Sequence, residues 1–585
     1  VNYFSEESEW QWLIDNGIDW DRIIPMYYPK FPTEDGFQNK EEIIEFIKEL
    51  LTQTGDWASK AVYGRAAALD KKGAGQIVDG RTIPGEELAA FYKEAAELQV
   101  FGLPVPQDVG GLGLPLGPLM VVLSQLARAC MSSCTQFAFF TSMADMVHRF
   151  CDEETQQRII PQIVAGTLSG SMCLTEPGCG SDLGMIKTSA TPTDDGKFLL
   201  NGSKIFITNG GGGLGFVLAR IKGAPEGLEG ISMFLCEQNL DGDKLNFMVT
   251  KNEEKMGMHG SFTTEVVYEN SVATLVGEEG MGFKYMLHLM NEARIAVGMQ
   301  ALGGIEGSLE YAIKYASERE QFGRPLTELP LMKRNLEDFT TERDAIRALM
   351  VDTVSHFDIY QHLDKKKDHT GDLNKKETKM HRDAWLWTRK RTPLVKYYAC
   401  EAYTHLSQRA IQVLGGYGYM EEYPVERYHR DSFGPLLYEG TSQIQALMAL
   451  KDIVKYAAKD PKKFFSSVFA KHPTANFISS EDQSVKEFNK VQYKFKKNSI
   501  KLLMKCLKPE SIGDIFNPKA WTAESNIEEL MTHAETLCQA LSYMETLRVL
   551  ALHAEKDPSR MDLFKRYQIL IRPRLEMIYT DWSIR

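Results

Sequence analysis

The sequence predicts an α+β chain in four parts: a helical domain over residues 1–168, a compact β domain over 169–281, a four-helix bundle over 282–459 and a further helical domain over 460–585. Three observations carry that reading. Apolar residues recur at helical spacing in the first part, at every second position in the second, and at helical spacing again thereafter. The length, 585 residues, exceeds what one hydrophobic core usually holds and favours several domains of about 100 to 200 residues. The composition, 43% hydrophobic and 25% charged, is that of folded chains rather than of disordered or collagen-like ones.

In the first part the helical spacing is clearest over residues 41–51, 85–98 and 118–150, and the Gly- and Pro-rich run 104–118 reads as a loop between helices. In the second part the period of two marks strands at 197–200, 204–207, 216–220 and 232–236, with turn residues between them. Long helical patterns fill the third part. The charged run 362–383 interrupts them as a solvated hairpin or insertion. Beyond Asp460-Pro461 the chain reads as helices again, enough for one more small domain.

Charge and cysteine usage narrow the function classes. A net charge of -12 argues against a protein whose whole surface embraces nucleic acid. Nine cysteines without a CxxC pair or zinc-like spacing to histidine imply reduced thiols in a cytoplasmic protein, with no disulfide and no structural metal. The opening run VNYFSEESEWQWLIDNGIDW is acidic and shows no targeting pattern, and no stretch reaches transmembrane length.

One motif is a decoy. Gly210, Gly212 and Gly215 satisfy GxGxxG after the strand-like KIFIT, but residues 216–220 continue as a strand and leave no helix N-terminus for a pyrophosphate. A hairpin turn is the expected reading. Four other runs concentrate chemistry. The first, MCLTEPGCGSD at 172–182, offers hydroxyls and backbone amides where helix gives way to strand, and equally suits a structural turn capped by Ser181 and Asp182. In FITNG at 206–210, Phe206 and Thr208 share a strand face, an aromatic beside a hydroxyl that suits a flavin. The third combines REQFG at 319–323 with QVLGGYG at 412–418, where an Arg can pair with pyrophosphate and glycines admit a ligand close to the backbone. The fourth, YEGTSQIQ at 438–445, sets Glu439 just before a helix whose start is signalled by Ser442 and Gln445 in capping-box spacing. There Glu439 serves either chemistry or the helix dipole.

In this order and wording, the runs resemble the acyl-CoA dehydrogenase family along nearly the whole chain: a TEPxxGSD loop, a W-I-T-N strand, an RxQFGxP turn, a QxxGGxG segment and a YEGT motif. One residue departs, Phe206 standing where Trp is usual. Size, the amino-terminal extension and the extra carboxyl-terminal helices are most similar to the large bacterial members, the 3-methylmercaptopropionyl-CoA and long-chain branches among them. The resemblance implies a helical domain, a β-barrel and a second helical bundle, with FAD as cofactor. Met172, Leu174, Thr175, Ser181, Phe206 and Thr208 would line the flavin, and Thr441 and Gln443 would meet its phosphates. Arg319, Gln321, Phe322, Gln412 and Gly416 would hold the adenine-nucleotide half across a homodimer, a tetramer being the alternative.

The resemblance also implies the reaction, α,β-dehydrogenation of an acyl-CoA with electrons passed to an electron-transfer flavoprotein. Glu439 would take the α-proton, its backbone amide polarising the thioester carbonyl as an oxyanion hole does. Some relatives carry the base immediately before the helix Arg that corresponds to Arg294; here Ala293 stands there, which leaves Glu439. Ser181, Asn291, Arg294 and Gly440 would contact substrate. Two other classes are weighed. An acyl-CoA oxidase shares the architecture, but its TETxxGSN and EGDN wording is further from TEPGCGSD and EGTSQIQ. A nucleic-acid-binding relative would use the lysine stripe 486, 490, 494, 497, 501, 505 and 508, which an amphipathic helix with Phe488, Val491, Phe495 and Leu502 opposite explains more simply.

Overall fold

The computed structural model describes the chain except residues 241–243, 460–480, 509–510, 512–516 and 518–523, so the predicted boundary at 460–461 lies outside the described residues. The chain divides into two units: Val1–Gln11, Asp19–Gly307 and Glu421–Gly434 in the first, and Trp12–Ile18, Ser308–Met420 and Pro435–Arg585 in the second.

The first unit opens with helices, among them Lys40–Trp57, Glu86–Glu97, Leu116–Ala129 and Met131–Phe150. Leu116–Ala129 is buried along its whole length, so it is a core element rather than an amphipathic one. The helical pattern at 118–150 breaks once, where Cys130 takes extended backbone angles. A hairpin interrupts this helical region: β1 (Gly75–Val78) pairs with β2 (Arg81–Pro84). Its two-residue turn, Asp79-Gly80, has φ values of 50° and 79°. The Asp-Gly pair was a hairpin signal legible in the sequence.

The β domain comprises β3 (Ser169–Cys173), β4 (Ser189–Pro192), β5 (Phe198–Thr208), β6 (Gly213–Ile221), β7 (Ile231–Glu237), β8 (Met248–Asn252) and β9 (Thr263–Val276). Pairings β6–β4, β4–β5, β5–β9, β9–β7 and β7–β6 close a ring, which makes it a barrel. β3 continues the edge of β6 beside β4, and β8 lies along β9. Phe198, Leu200, Ile207, Val217, Phe234, Val266 and Tyr268 fill the interior.

Two local expectations are corrected. The strands expected at 197–200 and 204–207 are one strand, β5: residues 201–204 go on pairing with 269–266 of β9, and the irregularity after Leu200 is an extra residue on β9, Asn270 (φ 50°). There Gly202 (φ 150°) passes so close to Thr188 that a Cβ would sit 2.9 Å from its Cα. The glycine turn after Thr208 joins strands that do not pair with each other, since β4 lies between β5 and β6; it is a crossover turn, not a hairpin.

The second unit is helical apart from a small hairpin at residues 319–325. Pro330–Thr370 and Lys375–Leu414 run as an antiparallel pair, and the charged run 362–383 occupies their joined ends. An Asn374–Glu377 capping box starts the second helix of the pair. Ser442–Lys459, Gln483–Leu507, Ala534–Lys556 and Met561–Ile584 complete the packing. Buried charges join the last helices to the pair. Glu545 (0% exposed) meets Arg391, Lys390 and Arg548. Glu342 takes two hydrogen bonds from Arg574 and one from the Tyr398 hydroxyl.

On Gln483–Leu507 the apolar face is buried at Phe488, Val491, Phe495 and Leu502. Lys486, Lys490, Lys494 and Lys508 pair with Glu481, Glu487, Glu576 and Glu529. Those pairings support the amphipathic-helix reading. Among the described residues no helix is long and apolar enough to cross a membrane, and no three His, Cys, Asp or Glu side chains converge as metal ligands would.

Candidate active site

Each unit carries part of the predicted site. In the first, the run 172–182 leaves β3 and folds back as a loop. Met172 pairs with Phe216 in the barrel wall. Leu174 and Thr175 are half-buried, while Ser181 is exposed. Asp182 caps a short turn by accepting from the Gly184 N–H at 3.1 Å, so the capping expectation holds for Asp182.

The pin of this loop is a pair that the sequence reading did not single out. Glu176 (6% exposed) accepts from the Lys187 N–H at 2.6 Å, the Thr188 N–H at 3.0 Å and the Thr188 hydroxyl. It also accepts from Lys204 Nζ at 2.8 Å. Lys204, on β5 and wholly buried (0% exposed), donates in addition to the Leu174 carbonyl at 2.9 Å. Burial pushes the Glu176 carboxyl up, but the Lys204 charge and these hydrogen bonds outweigh it and hold it below the usual carboxylate range. Burial draws the Lys204 ammonium below its usual range, against the opposing pull of Glu176. A lysine inside the barrel breaks the period-two pattern, and that break was the available signal.

Lys204 therefore ties the loop to the next predicted segment. Between Lys204 and Ile207 the β5–β9 register shifts, which frees the Ile205 N–H to donate to the Thr175 carbonyl at 3.0 Å. The bulge leaves Phe206 in a left-handed conformation (φ 60°) and 60% exposed. A bulky residue there costs on the order of 1–3 kcal/mol and is retained only where the surroundings enforce it. Phe206 and Thr208 flank the buried Ile207, as two residues on one strand face should. Asn209 (φ 58°) closes the turn by donating to the Ser169 hydroxyl and the Gly170 carbonyl, both at 2.9 Å. On the amino-terminal stretch of the Gly282–Glu318 helix, which belongs to the same unit, buried Arg294 donates to Asn291 Oδ1 at 3.1 Å.

The second unit holds Glu439. It is half-buried in a turn between Pro424–Leu437 and Ser442–Lys459, with φ 58°, and Gly440 follows with φ 94°. Gln445 Nε2 donates to the Glu439 and Gly440 carbonyls at 2.9 and 3.0 Å. Lys396 Nζ donates to the Gly440 carbonyl at 2.6 Å and approaches that of Leu436 at 3.4 Å. The capping signal is displaced by one residue: Thr441 Oγ1 accepts from the Ile444 N–H at 3.4 Å, while the Ser442 hydroxyl donates to Glu401. Gln445 is buried and committed to the Glu439 turn, so it closes no capping box. Thr441 is half-buried and Gln443 exposed.

Residues 319–325 form a small hairpin, Glu320–Gln321 against Arg324–Pro325. Phe322 (φ 55°, 90% exposed) and Gly323 (φ 78°) make its tip. The Arg319 guanidinium lies 5.9 Å from the Tyr417 ring centroid. Gln412 is exposed and accepts from Arg409 at 2.6 Å, and around Gly416 a Cβ would meet open space.

Three family models match the chain: "Acyl-CoA dehydrogenase, N-terminal domain" over residues 48–167, "Acyl-CoA dehydrogenase, middle domain" over 171–271 and "Acyl-CoA dehydrogenase, C-terminal domain" over 280–454. An acyl-CoA dehydrogenase of Bacillus subtilis is 34% identical over 365 residues, 62% of this chain and 88% of that protein. The structure of butyryl-CoA dehydrogenase from Megasphaera elsdenii superposes with a TM-score of 0.59 at 29% identity, covering 70% of this chain and 98% of that one. A Bacillus anthracis acyl-CoA dehydrogenase crystallised with FAD shares the fold over 92% of this chain and 88% of its own, with a TM-score of 0.75 at 21% identity. Residues 1–454 alone cannot supply that coverage, so the likeness includes the carboxyl-terminal helices.

Proposed function

The chain belongs to the acyl-CoA dehydrogenase family of FAD-dependent oxidoreductases, and from that premise we propose that it converts an acyl-CoA thioester to the trans-2-enoyl-CoA with Glu439 as the base. The observation that carries the reading is the backbone of Glu439, a non-glycine residue held at φ 58° in a turn built around it.

The residues present fit FAD. Phe206 offers a projecting ring next to Thr208, and the loop at 172–182 offers Thr175 and Ser181, a surface suited to a flat ring system with a polar edge. Met172, Leu174, Thr175, Ser181, Phe206 and Thr208 would line the flavin, with Thr441 and Gln443 toward its phosphates. Bound FAD supplies a two-electron acceptor for the β-hydride. The chain does the rest. A Glu439 carboxylate oxygen takes the α-proton, and the Glu439 amide donates to the thioester carbonyl oxygen, where negative charge grows as the Cα–H bond breaks. Arg294 and Asn291, joined by their hydrogen bond, contact the substrate toward its CoA portion, and Ser181 and Gly440 are further substrate contacts.

We further propose a homodimer in which Arg319, Gln321, Phe322, Gln412 and Gly416 complete the partner's adenine-nucleotide site. The 90% exposure of Phe322 is compatible with this, because burying an aromatic ring from water is favourable by about 1.5–3 kcal/mol. An electron-transfer flavoprotein is the proposed electron acceptor. The test is a panel of acyl-CoA chain lengths assayed with an artificial electron acceptor on purified, FAD-loaded protein. Activity confined to a band of chain lengths is expected. Folded protein that refuses added FAD, or no turnover across the panel, overturns the proposal.

A further inference from the structure

We infer that Lys396 and Gln445 are positioning residues for Glu439: they hold the carbonyls of residues 436, 439 and 440 and so fix the left-handed turn from which the base works. The inference rests on the reading of Glu439 as the base.

Two successive positive φ values, 58° at Glu439 and 94° at Gly440, are a costly conformation for a chain containing Glu. The turn persists when its carbonyls are satisfied only in that shape. Gln445 spans two of them with one amide nitrogen, and Lys396 adds an ammonium to the Gly440 carbonyl at 2.6 Å. Both donors are buried, at 0% and 1% exposure, and burying an ammonium is expensive unless its hydrogen bonds are made. The same ammonium reaches the Leu436 carbonyl, at the last turn of Pro424–Leu437, where the helix dipole favours a cation.

Gly440 is part of the device. A Cβ on it would lie 2.8 Å from Gln445 Nε2, so the missing side chain admits the glutamine as well as permitting φ 94°. On the other side the turn is anchored by the Gln445 N–H to Thr441 carbonyl bond at 2.9 Å and by Ser442 on Glu401. A base that must offer a carboxylate and an amide to neighbouring substrate atoms depends on such anchoring, because a misplacement of about 1 Å costs on the order of a hundredfold in rate.

The test uses Lys396→Met and Gln445→Leu in the full-length, FAD-loaded protein. The saturating rate of anaerobic flavin reduction by acyl-CoA is expected to fall about tenfold to a hundredfold, while the half-saturating substrate concentration moves by less than about threefold. Amide hydrogen exchange at residues 439–441 accelerates in both variants, with or without FAD. If Lys396→Met does not fold, Gln445→Leu, which alters no buried charge, decides alone. A folded variant with wild-type reduction rate overturns the inference, as does a rate loss without faster exchange at 439–441. Glu439→Gln separates the two layers. Normal reduction in that variant removes the base assignment itself, whereas its inactivity beside normal Lys396→Met and Gln445→Leu removes only the positioning role.

Discussion

Replacing Lys204 by Met leaves the Glu176 carboxylate buried beneath the 172–182 loop with three of its four donors: Lys187 N–H, Thr188 N–H and the Thr188 hydroxyl. Breaking a buried ion pair from one side costs about 3–5 kcal/mol, and the three surviving bonds put Lys204→Met near the lower end. Glu176→Ala is worse. It strands a fully buried ammonium with the Leu174 carbonyl as its remaining hydrogen-bond partner among the described residues, which points to the upper end. In the double variant Lys204→Met/Glu176→Ala no buried charge remains, so its loss falls short of the summed single losses by about 2 kcal/mol. Urea unfolding followed by circular dichroism measures all three. Lys204 is also the link between the Leu174 carbonyl and β5, so retained FAD should drop in parallel with stability. A Lys204→Met protein within about 1 kcal/mol of wild type would refute the argument that this pair pins the loop.

Three further outcomes follow from the same kind of reasoning. Burial of Asp431 raises its carboxyl to about 6, against the pull of the Met258 N–H, Arg427 and Arg430. The folded state therefore keeps a proton that the unfolded state has lost, and stability falls as pH rises from about 4 to about 6, by roughly 3 kcal/mol in all. Asp431→Asn removes that loss and is more stable than wild type at pH 7.5 but not at pH 4; equal stability at pH 7.5 contradicts the assignment. Glu545→Gln, which leaves Lys390, Arg391 and Arg548 without their shared carboxylate, lowers stability by about 3–5 kcal/mol, and an unchanged thermal midpoint would dismiss the network as decoration. Phe206→Gly relieves left-handed strain of about 1 kcal/mol at an exposed position. Its thermal midpoint without FAD should hold or rise while FAD retention weakens, and a lower midpoint refutes the strain argument.

The broad fold was legible because its signals are periodic. The change from helical spacing to alternation at about residue 169 matches β3, and the return after the barrel matches the Gly282–Glu318 helix. What escaped was set by tertiary contact. Residues 201–203 look like a turn by composition, and only the approach of Thr188 to Gly202 explains why the strand runs through them. Gln445 looks like a capping residue by spacing, but burial diverts it to the Glu439 turn. The motif residues could be named from their wording, whereas Lys204, Glu176 and Lys396 could not be given roles, because a buried charge acquires meaning only from the groups that surround it.

The most direct measurement of the central claim is anaerobic bleaching of the flavin absorbance after Glu439→Gln protein, loaded with FAD, is mixed with acyl-CoA substrate. The substitution keeps side-chain size and the backbone amide, so fold, FAD content and substrate binding are expected to persist. Loss of a positioned general base costs about a hundredfold to ten-thousandfold in rate, so bleaching should be slower by at least that lower bound. Bleaching at a near-normal rate would contradict the account and move the search for the base to Glu292, on the helix that carries Arg294.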